Sequence, residues 1–223
     1  MLIKICGITT IEAAQVASEA GADLLGLVFY PPSPRYLSPS VADDLVAAIK
    51  RLARRPKLVG LFVNLPLPEI AAAVARYDLD YIQLHGEENP PLCQEAARLR
   101  PVIRALRLPL QIEPAAALRL AAPFGQLDGL TLLLDTHKSG MYGGTGQVGE
   151  WAAARTIAQA FPALLAGGLT AENVGAAIAQ VQPWGVDVSS GVEKQAAPGQ
   201  KDMAKIKQFI AACKTGSFST IED

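Results

Sequence analysis

Histidine, cysteine and tryptophan are scarce in this chain: two His, three Cys and two Trp in 223 residues. Two histidines, His85 and His137, are too few for a His-rich metal site. Three cysteines make no disulfide framework. Neither sign of charge dominates, because 20 Lys and Arg stand against 21 Asp and Glu, a formal net charge of −1. The basic excess that usually marks a nucleic-acid binder is therefore missing, although a small, locally basic pocket is compatible with this balance. Long apolar runs are missing too. The charge-free stretch from Thr156 to Ala171 is broken by Pro162, Gly167 and Gly168, and it falls short of the ~20 apolar residues that a spanning helix needs. The start, Met1-Leu2-Ile3-Lys4, has no basic segment leading into an apolar run, so no signal peptide is expected. These absences point to a soluble cytoplasmic protein with no nucleic-acid and no membrane partner. What is present is apolar: 50% of residues are hydrophobic and 18% charged. That suffices for a sizeable core and lies far from the composition of a disordered chain.

Two textures alternate along the chain. Short β-rich apolar runs are followed by longer Ala-rich runs with helical spacing. Strands are expected at Leu2–Cys6, Leu24–Phe29, Lys57–Val63, Tyr81–His85, Val102–Leu106, Leu130–Asp135, Ala163–Ala166 and Val186–Ser189. Helices are expected at Ile11–Ala20, Ser40–Arg54, Leu67–Arg76, Pro91–Leu99, Pro114–Leu120, Glu150–Ala160, Ala171–Gln180 and Lys201–Cys213. Strands that each lead into a helix must be parallel, because the helix carries the chain back to the same end of the sheet. An open doubly wound sheet also alternates in this way. Eight such units of ~25–30 residues instead fit a closed α/β barrel, a single (β/α)8 TIM barrel. The barrel is expected to occupy residues 1–214, with residues 215–223 as a flexible tail.

Strand alternation then sorts the side chains, since successive residues face opposite sides. Ile3 and Ile5 share one face of the first strand, Lys4 and Cys6 the other. The same parity sets Gln83 and His85 against Ile82 and Leu84, Leu133 and Asp135 against Leu132 and Leu134, and Asp187 and Ser189 against Val186 and Val188. The aliphatic set belongs under the helices. The second set points into the barrel and places Cys6, His85, Asp135 and Asp187 at carboxyl ends of strands, where barrel enzymes build their active sites.

Two glycine-rich elements come late: Ala166-Gly167-Gly168-Leu169 after strand seven and Ser189-Ser190-Gly191-Val192-Glu193 after strand eight. Glycines let backbone N–H groups approach an anion, and barrels commonly hold phosphate at these two loops. Gly-Gly alone is often only a tight turn; the pair of elements at these two strands is what points to phosphate. Cys93 and Cys213 sit among apolar neighbours on helices and read as small buried hydrophobes. Cys6 points inward at the rim, where a thiolate can act as base or nucleophile. Asp135 closes an aliphatic run, and an inward Asp at a strand end is seldom only structural. Arg35, after Pro31-Pro32-Ser33-Pro34, is either a solvated loop residue or a fork for a carboxylate. His85 is a polar core residue or a pocket residue, and Asp187 is either catalytic or, the favoured reading, orders the adjacent phosphate loop. His137 and Lys138 read as solvated loop residues, and the Gly-rich segment Thr136–Gly149 as a lid.

Together these stretches resemble the phosphoribosylanthranilate isomerase family of tryptophan biosynthesis. The matching segments are Lys4-Ile5-Cys6-Gly7-Ile8-Thr9, Phe29 to Arg35, Gly60-Leu61-Phe62-Val63-Asn64, Gln83-Leu84-His85-Gly86-Glu87-Glu88, Leu134-Asp135, Gly143-Gly144-Thr145-Gly146, Ala166-Gly167-Gly168-Leu169 and Val186 to Glu193. The resemblance runs in order from residue 4 to about residue 207. Two departures stand out: Gly149-Glu150 where the family usually carries an aromatic–Asp pair, and Gln200 where an aliphatic is usual. The resemblance implies an Amadori rearrangement of N-(5-phosphoribosyl)anthranilate by general acid–base catalysis, with no cofactor and no metal. It implies Cys6 as general base and Asp135 as general acid, with Arg35, His85 and Asp187 binding substrate. Gly144, Gly167, Gly168, Ser189, Ser190 and Gly191 would then grip the phosphate. The state expected is a monomer or a homodimer. Other phosphate-binding barrels fit less well. A metal-dependent sugar-phosphate epimerase would want more histidines, and an indole-glycerol-phosphate synthase an inward Lys–Glu pair. A barrel that only binds a metabolite could dispense with Cys6 or Asp135.

Overall fold

The computed structural model describes residues 1–109, 111–135 and 148–216. Among them, eight parallel strands pair in sequence order and close on themselves: β1 (Leu2–Cys6), β2 (Leu24–Val28), β3 (Lys57–Phe62), β4 (Tyr81–Leu84), β5 (Val102–Arg107), β6 (Leu130–Asp135), β7 (Ala163–Ala166) and β8 (Gly185–Val188). The helices between and after them are α1 (Ile11–Ala20), α2 (Pro39–Ile49), α3 (Leu67–Tyr77), α4 (Pro90–Ala97), α5 (Pro114–Gly125), α6 (Val148–Ala160), α7 (Val174–Val181) and α8 (Met203–Gly216). The expected (β/α)8 barrel is therefore the observed fold. The seam that closes it pairs the first strand with the last, Lys4 opposite Asp187 and Ile5 opposite Val188.

Local chemistry sets the helix ends. The Thr10 side chain caps α1 by accepting from the Ala13 N–H, and Gly21 ends it in the left-handed region. The Asn89 side chain caps α4 by accepting from Leu92, ahead of Pro90 at the first helical position. Each such cap is worth about 1 kcal/mol.

Where helix boundaries depart from expectation, side chains account for several of the differences. Helix α2 stops at Ile49 rather than Arg54. Beyond it the Arg54 guanidinium turns back to the carbonyls of Ser18 and Ala22 and to Asp23. Helix α7 starts at Val174 rather than Ala171, because the Asn173 side-chain Oδ1 accepts from the Thr170 N–H and holds a turn instead. Helix α5 runs through Pro123, beyond the expected end at Leu120. Helix α8 begins at Met203 rather than Lys201, where Asp202 accepts from the N–H groups of Ala204 and Lys205. It also includes Thr215 and Gly216, which sequence assigned to the tail. Residues 217–223 and most of the expected lid, residues 136–147, lie outside the described residues.

Two apolar layers hold the barrel. The outer layer lies between strands and helices and contains Ile3, Ile5, Ile82, Leu84, Leu132, Leu134, Val186 and Val188, the set assigned to that face by parity, together with Leu25, Leu27 and Phe62. The inner layer, Leu24, Val59, Ile103, Ala105, Leu133, Leu164 and Ala166, plugs the barrel. At roughly 1.5–3 kcal/mol per fully buried large aliphatic or aromatic side chain, these layers are the main force for closure. The plug also gives the upper side chains a rigid floor.

Candidate active site

A cavity of about 440 Å³ opens at the carboxyl ends of the strands, above the apolar plug. Cys6, Arg35, His85, Asp135 and Asp187 all line it, together with Gly167, Gly168, Ser189, Ser190 and Gly191. Sequence reasoning thus places its described candidates around one cavity. Gly144 lies outside the described residues. Arg107 also lines the cavity, and sequence reasoning missed it. Ending the fifth strand at Leu106 stopped the inward alternation Ile103, Ala105, Arg107 one residue early.

At the floor, Lys4 is completely buried and donates to Asp187 Oδ1 at 2.9 Å. Burial alone would lower its pKa. The carboxylate of Asp187 and the neighbouring Cys6 outweigh burial and raise it, so an ammonium is held beside the Cys6 thiol. A Cβ on Gly26 would stand 2.7 Å from Cys6 Sγ and 3.1 Å from Lys4 Nζ, so this bare Cα leaves the room that the pair occupies. An apolar wall flanks the thiol: Cys6 packs with Val28 and Leu61, and Tyr30 and Val63 extend the patch.

His85 follows β4, and its N–H donates to the Phe62 carbonyl of β3, the strand that carries Leu61. The Gln83 side chain meets its Nδ1 at 2.9 Å and fixes the ring plane. Burial lowers the His85 pKa; Asp135 and Asp187 oppose that shift, while Lys4 and Arg107 add to it. The balance is a neutral imidazole at neutral pH. The chain turn behind His85 is locked by Glu88, whose carboxylate accepts from the N–H groups of Asn64 and Gly86. Arg104 lies 3.3 Å from Glu88 and donates to the carbonyls of Leu84, Ala105 and Gly86. Glu88 of the Gln-Leu-His-Gly-Glu-Glu motif therefore positions the turn rather than touching the cavity.

The loops after β7 and β8 form the opposite rim. Gly167 and Gly168 have φ of 85° and 64°, left-handed values that ordinary side chains resist. Among the described residues, no carbonyl takes the backbone N–H groups of Gly168, Leu169, Ser190 or Gly191. Asn173 braces the first loop by donating to the Gly168 carbonyl and accepting from Thr170. A single 3-10 turn, Ser190–Val192, forms the second, and Ser189 Oγ donates to the Cys6 carbonyl at 3.2 Å. Unpaired N–H groups clustered on adjacent loops make a concave anion site. No group of three or more His, Cys, Asp or Glu among the described residues could hold a metal ion, and no described helix is long and apolar enough to cross a membrane.

Arg35 reaches the cavity from the loop after β2, but its fork is engaged. Nε and Nη2 donate to the two carboxylate oxygens of Glu193 at 2.7 and 2.9 Å. Burial would raise the Glu193 pKa, yet Arg35 and Lys201 hold it below the usual carboxylate value.

Open N–H groups on the β7 and β8 loops, facing a thiol and a carboxyl group in one cavity, mark a (β/α)8 barrel of the enzyme type. Comparison with known proteins narrows the class. The family model of N-(5′-phosphoribosyl)anthranilate isomerase matches residues 3–212. An N-(5′-phosphoribosyl)anthranilate isomerase of Geobacter metallireducens is 42% identical over 214 residues, covering 95% of this chain and 98% of its own. The crystal structure of phosphoribosyl anthranilate isomerase from Thermotoga maritima superposes with a TM-score of 0.82 at 39% identity, covering 96% of this chain and 100% of its own. A phosphoribosyl anthranilate isomerase in complex with reduced 1-(o-carboxyphenylamino)-1-deoxyribulose 5-phosphate matches with a TM-score of 0.79 at 37% identity, over 96% and 100% of the two chains. The chain belongs to the phosphoribosylanthranilate isomerase family.

Proposed function

We propose that this cavity isomerises N-(5-phosphoribosyl)anthranilate to 1-(2-carboxyphenylamino)-1-deoxyribulose 5-phosphate, a step of tryptophan biosynthesis. The observation that carries this reading is the convergence of Cys6, Asp135, Arg35 and both glycine loops on one cavity of about 440 Å³. That volume lies in the range of small-molecule sites. A phosphate on the Gly167–Gly168 and Ser189–Gly191 loops points the ribose at Cys6 and Asp135. The aromatic ring then rests on the wall of Val28, Tyr30, Leu61 and Val63, with its carboxylate toward Arg35.

Two proton transfers open the ring and form the enol-amine. Asp135 gives its proton to the ribose ring oxygen, and the C1′–O bond breaks to leave an iminium. The Cys6 thiolate takes the C2′ proton, and that electron pair forms the C1′=C2′ bond while the C1′=N pair returns to nitrogen. The enol-amine then loses its O2′ proton and gains one at C1′ to give the ketone, an isomer of the substrate, and no redox partner is involved. The Lys4 ammonium stands beside Sγ, and Asp187 holds that ammonium in place. His85 and Asp187 line the floor under the ribose. The solved complex with the reduced carboxyphenylamino compound supports a ligand of this kind. Another related solved structure is of monomers generated from the dimeric Thermotoga maritima enzyme; for this chain we propose a monomer or a homodimer in the cytoplasm.

The test is direct. Purified protein is mixed with phosphoribosylanthranilate generated in situ, and the loss of its fluorescence is followed. Enzyme-dependent decay, together with growth of a tryptophan auxotroph that lacks only this step, is expected. Decay no faster than the uncatalysed background would refute the assignment.

A further inference from the structure

Behind Arg35 lies a buried charge pair that the two proton transfers do not use. Glu193 and Lys201 face each other on a short antiparallel bridge that closes the 194–200 loop. Main-chain bonds fix it: Lys194 N–H donates to Gln200 O, and Asp202 N–H to Val192 O. The Gln200 side chain is exposed, so its departure from an aliphatic leaves this bridge intact. Lys205 Nζ donates to the Glu193 carbonyl, and Thr9 Oγ1 to the Gly199 carbonyl. The bridge is thus tied both to α8 and to the loop after β1.

The charges on it are arranged in a row. Lys201 Nζ donates to Glu193 Oε1 at 3.1 Å, to the Ser189 carbonyl at 2.8 Å and to Ser189 Oγ at 3.4 Å. Three acceptors thus meet the three donors of one ammonium. Glu193 in turn holds Arg35 through the Nε and Nη2 edge. A guanidinium has a second edge, Nη1 and Nη2, and no bond among the described residues uses Nη1. Glu193 by itself would cancel the charge of Arg35 and make it a poor anion receptor. Lys201 restores the balance: two cations and one carboxylate leave one net positive charge.

We propose that Glu193 and Lys201 are positioning residues for carboxylate recognition: Glu193 clamps Arg35 by one edge and leaves the other for the substrate, and Lys201 neutralises Glu193 so that the site stays cationic. This rests on the reading of Arg35 as the partner of the anthranilate carboxylate.

A pair of ligands isolates the effect. One is the reduced carboxyphenylamino product analogue, the other the same compound without its carboxylate. Their Kd ratio cancels whatever Lys201 does for the Ser189 phosphate loop. Lys201→Met leaves Arg35 and Glu193 with no net charge and is expected to compress the ratio about tenfold, the size of one charge-assisted contact. Adding Glu193→Gln restores one positive charge and brings the ratio back to within about threefold of the unaltered protein. A purely structural pair would not be rescued by a second substitution. An unchanged ratio in Lys201→Met, or no recovery in the double variant, overturns the proposal. Should Lys201→Met fail to fold, the double variant, whose pair is neutral, decides alone: a ratio compressed tenfold counts against us. If the unaltered protein itself ignores the carboxylate, the role of Arg35 falls, and this inference with it.

Discussion

The two halves of the rim are built by different means. The half after β7 and β8 is backbone: glycines, open N–H groups and one 3-10 turn. The half formed by β1, the loop after β2 and β6 is side chain: Cys6, Arg35 and Asp135, supported by Lys4, Glu193 and Lys201. Backbone dipoles suit a group whose charge does not change during the reaction, such as phosphate. Side chains are required where protons must move. On this division, damage to the first half should appear mainly in binding and damage to the second mainly in turnover.

The largest effect is expected in the second half. Asp135→Asn and Cys6→Ala each should lower kcat by about 10²- to 10⁴-fold, the usual contribution of one positioned acid or base, with KM changed little. Steady-state kinetics of both variants checks this, and near-normal kcat in either removes that residue from its role. Lys4→Met probes the floor shared by both halves. It strands the buried Asp187 carboxylate and should cost about 3–5 kcal/mol of stability, read as a drop in the urea midpoint. An unchanged midpoint would mean that Asp187 does not depend on its partner.

Gly191→Ala tests the backbone half. The added Cβ falls against the Leu169 carbonyl and forces the two phosphate loops apart. KM is expected to rise about tenfold, one lost contact of about 1.4 kcal/mol, with inhibition by inorganic phosphate weakened in parallel. A fall in kcat alone would erase the distinction between the halves.

The smallest effect concerns pH. Burial depresses the His85 pKa below its ordinary 6.5, so the folded protein binds this proton less readily than the unfolded chain. Stability is full above pH 6.5 and declines as pH falls from there toward the lower folded value. The difference in urea midpoint between the unaltered protein and His85→Asn should therefore shift against the unaltered protein between pH 7.5 and pH 5.5. A pH-independent difference would show that the imidazole is not held neutral.

Much of this was legible in the chain. The bounds of β1, β6, β7 and α1 follow from apolar period and punctuation, and parity within strands placed Cys6, His85, Asp135 and Asp187 on the inner face. What was hidden depends on long-range encounters. Nothing in a helical or strand period tells that Arg54 turns back onto Ser18 and Ala22, or that Asn173 spends its side chain on Thr170 rather than on starting a helix. Lys201 read as the first turn of the last helix, because a bridge across the 194–200 loop has no periodic signature. Gln83 and Glu88 stood in recognisable motifs, yet their roles as supports of His85 and its turn appear only once partners are in place.

The seam between β1 and β8 has one more consequence. Lys4 binds Asp187, and the Ser189 hydroxyl binds the Cys6 carbonyl, each across 183 residues of chain. The Cys6 thiol and the Ser189 loop therefore come into register only when the two ends of the barrel meet. Closures of such large loops are slow to form. A growing chain that has made seven strands holds Cys6 and Asp135 but neither Asp187 nor the last loop, and under the proposed roles of these residues it should be inert. Activity would then be a sensor of ring closure, and the rate at which it is regained on refolding should time the joining of the first strand to the last.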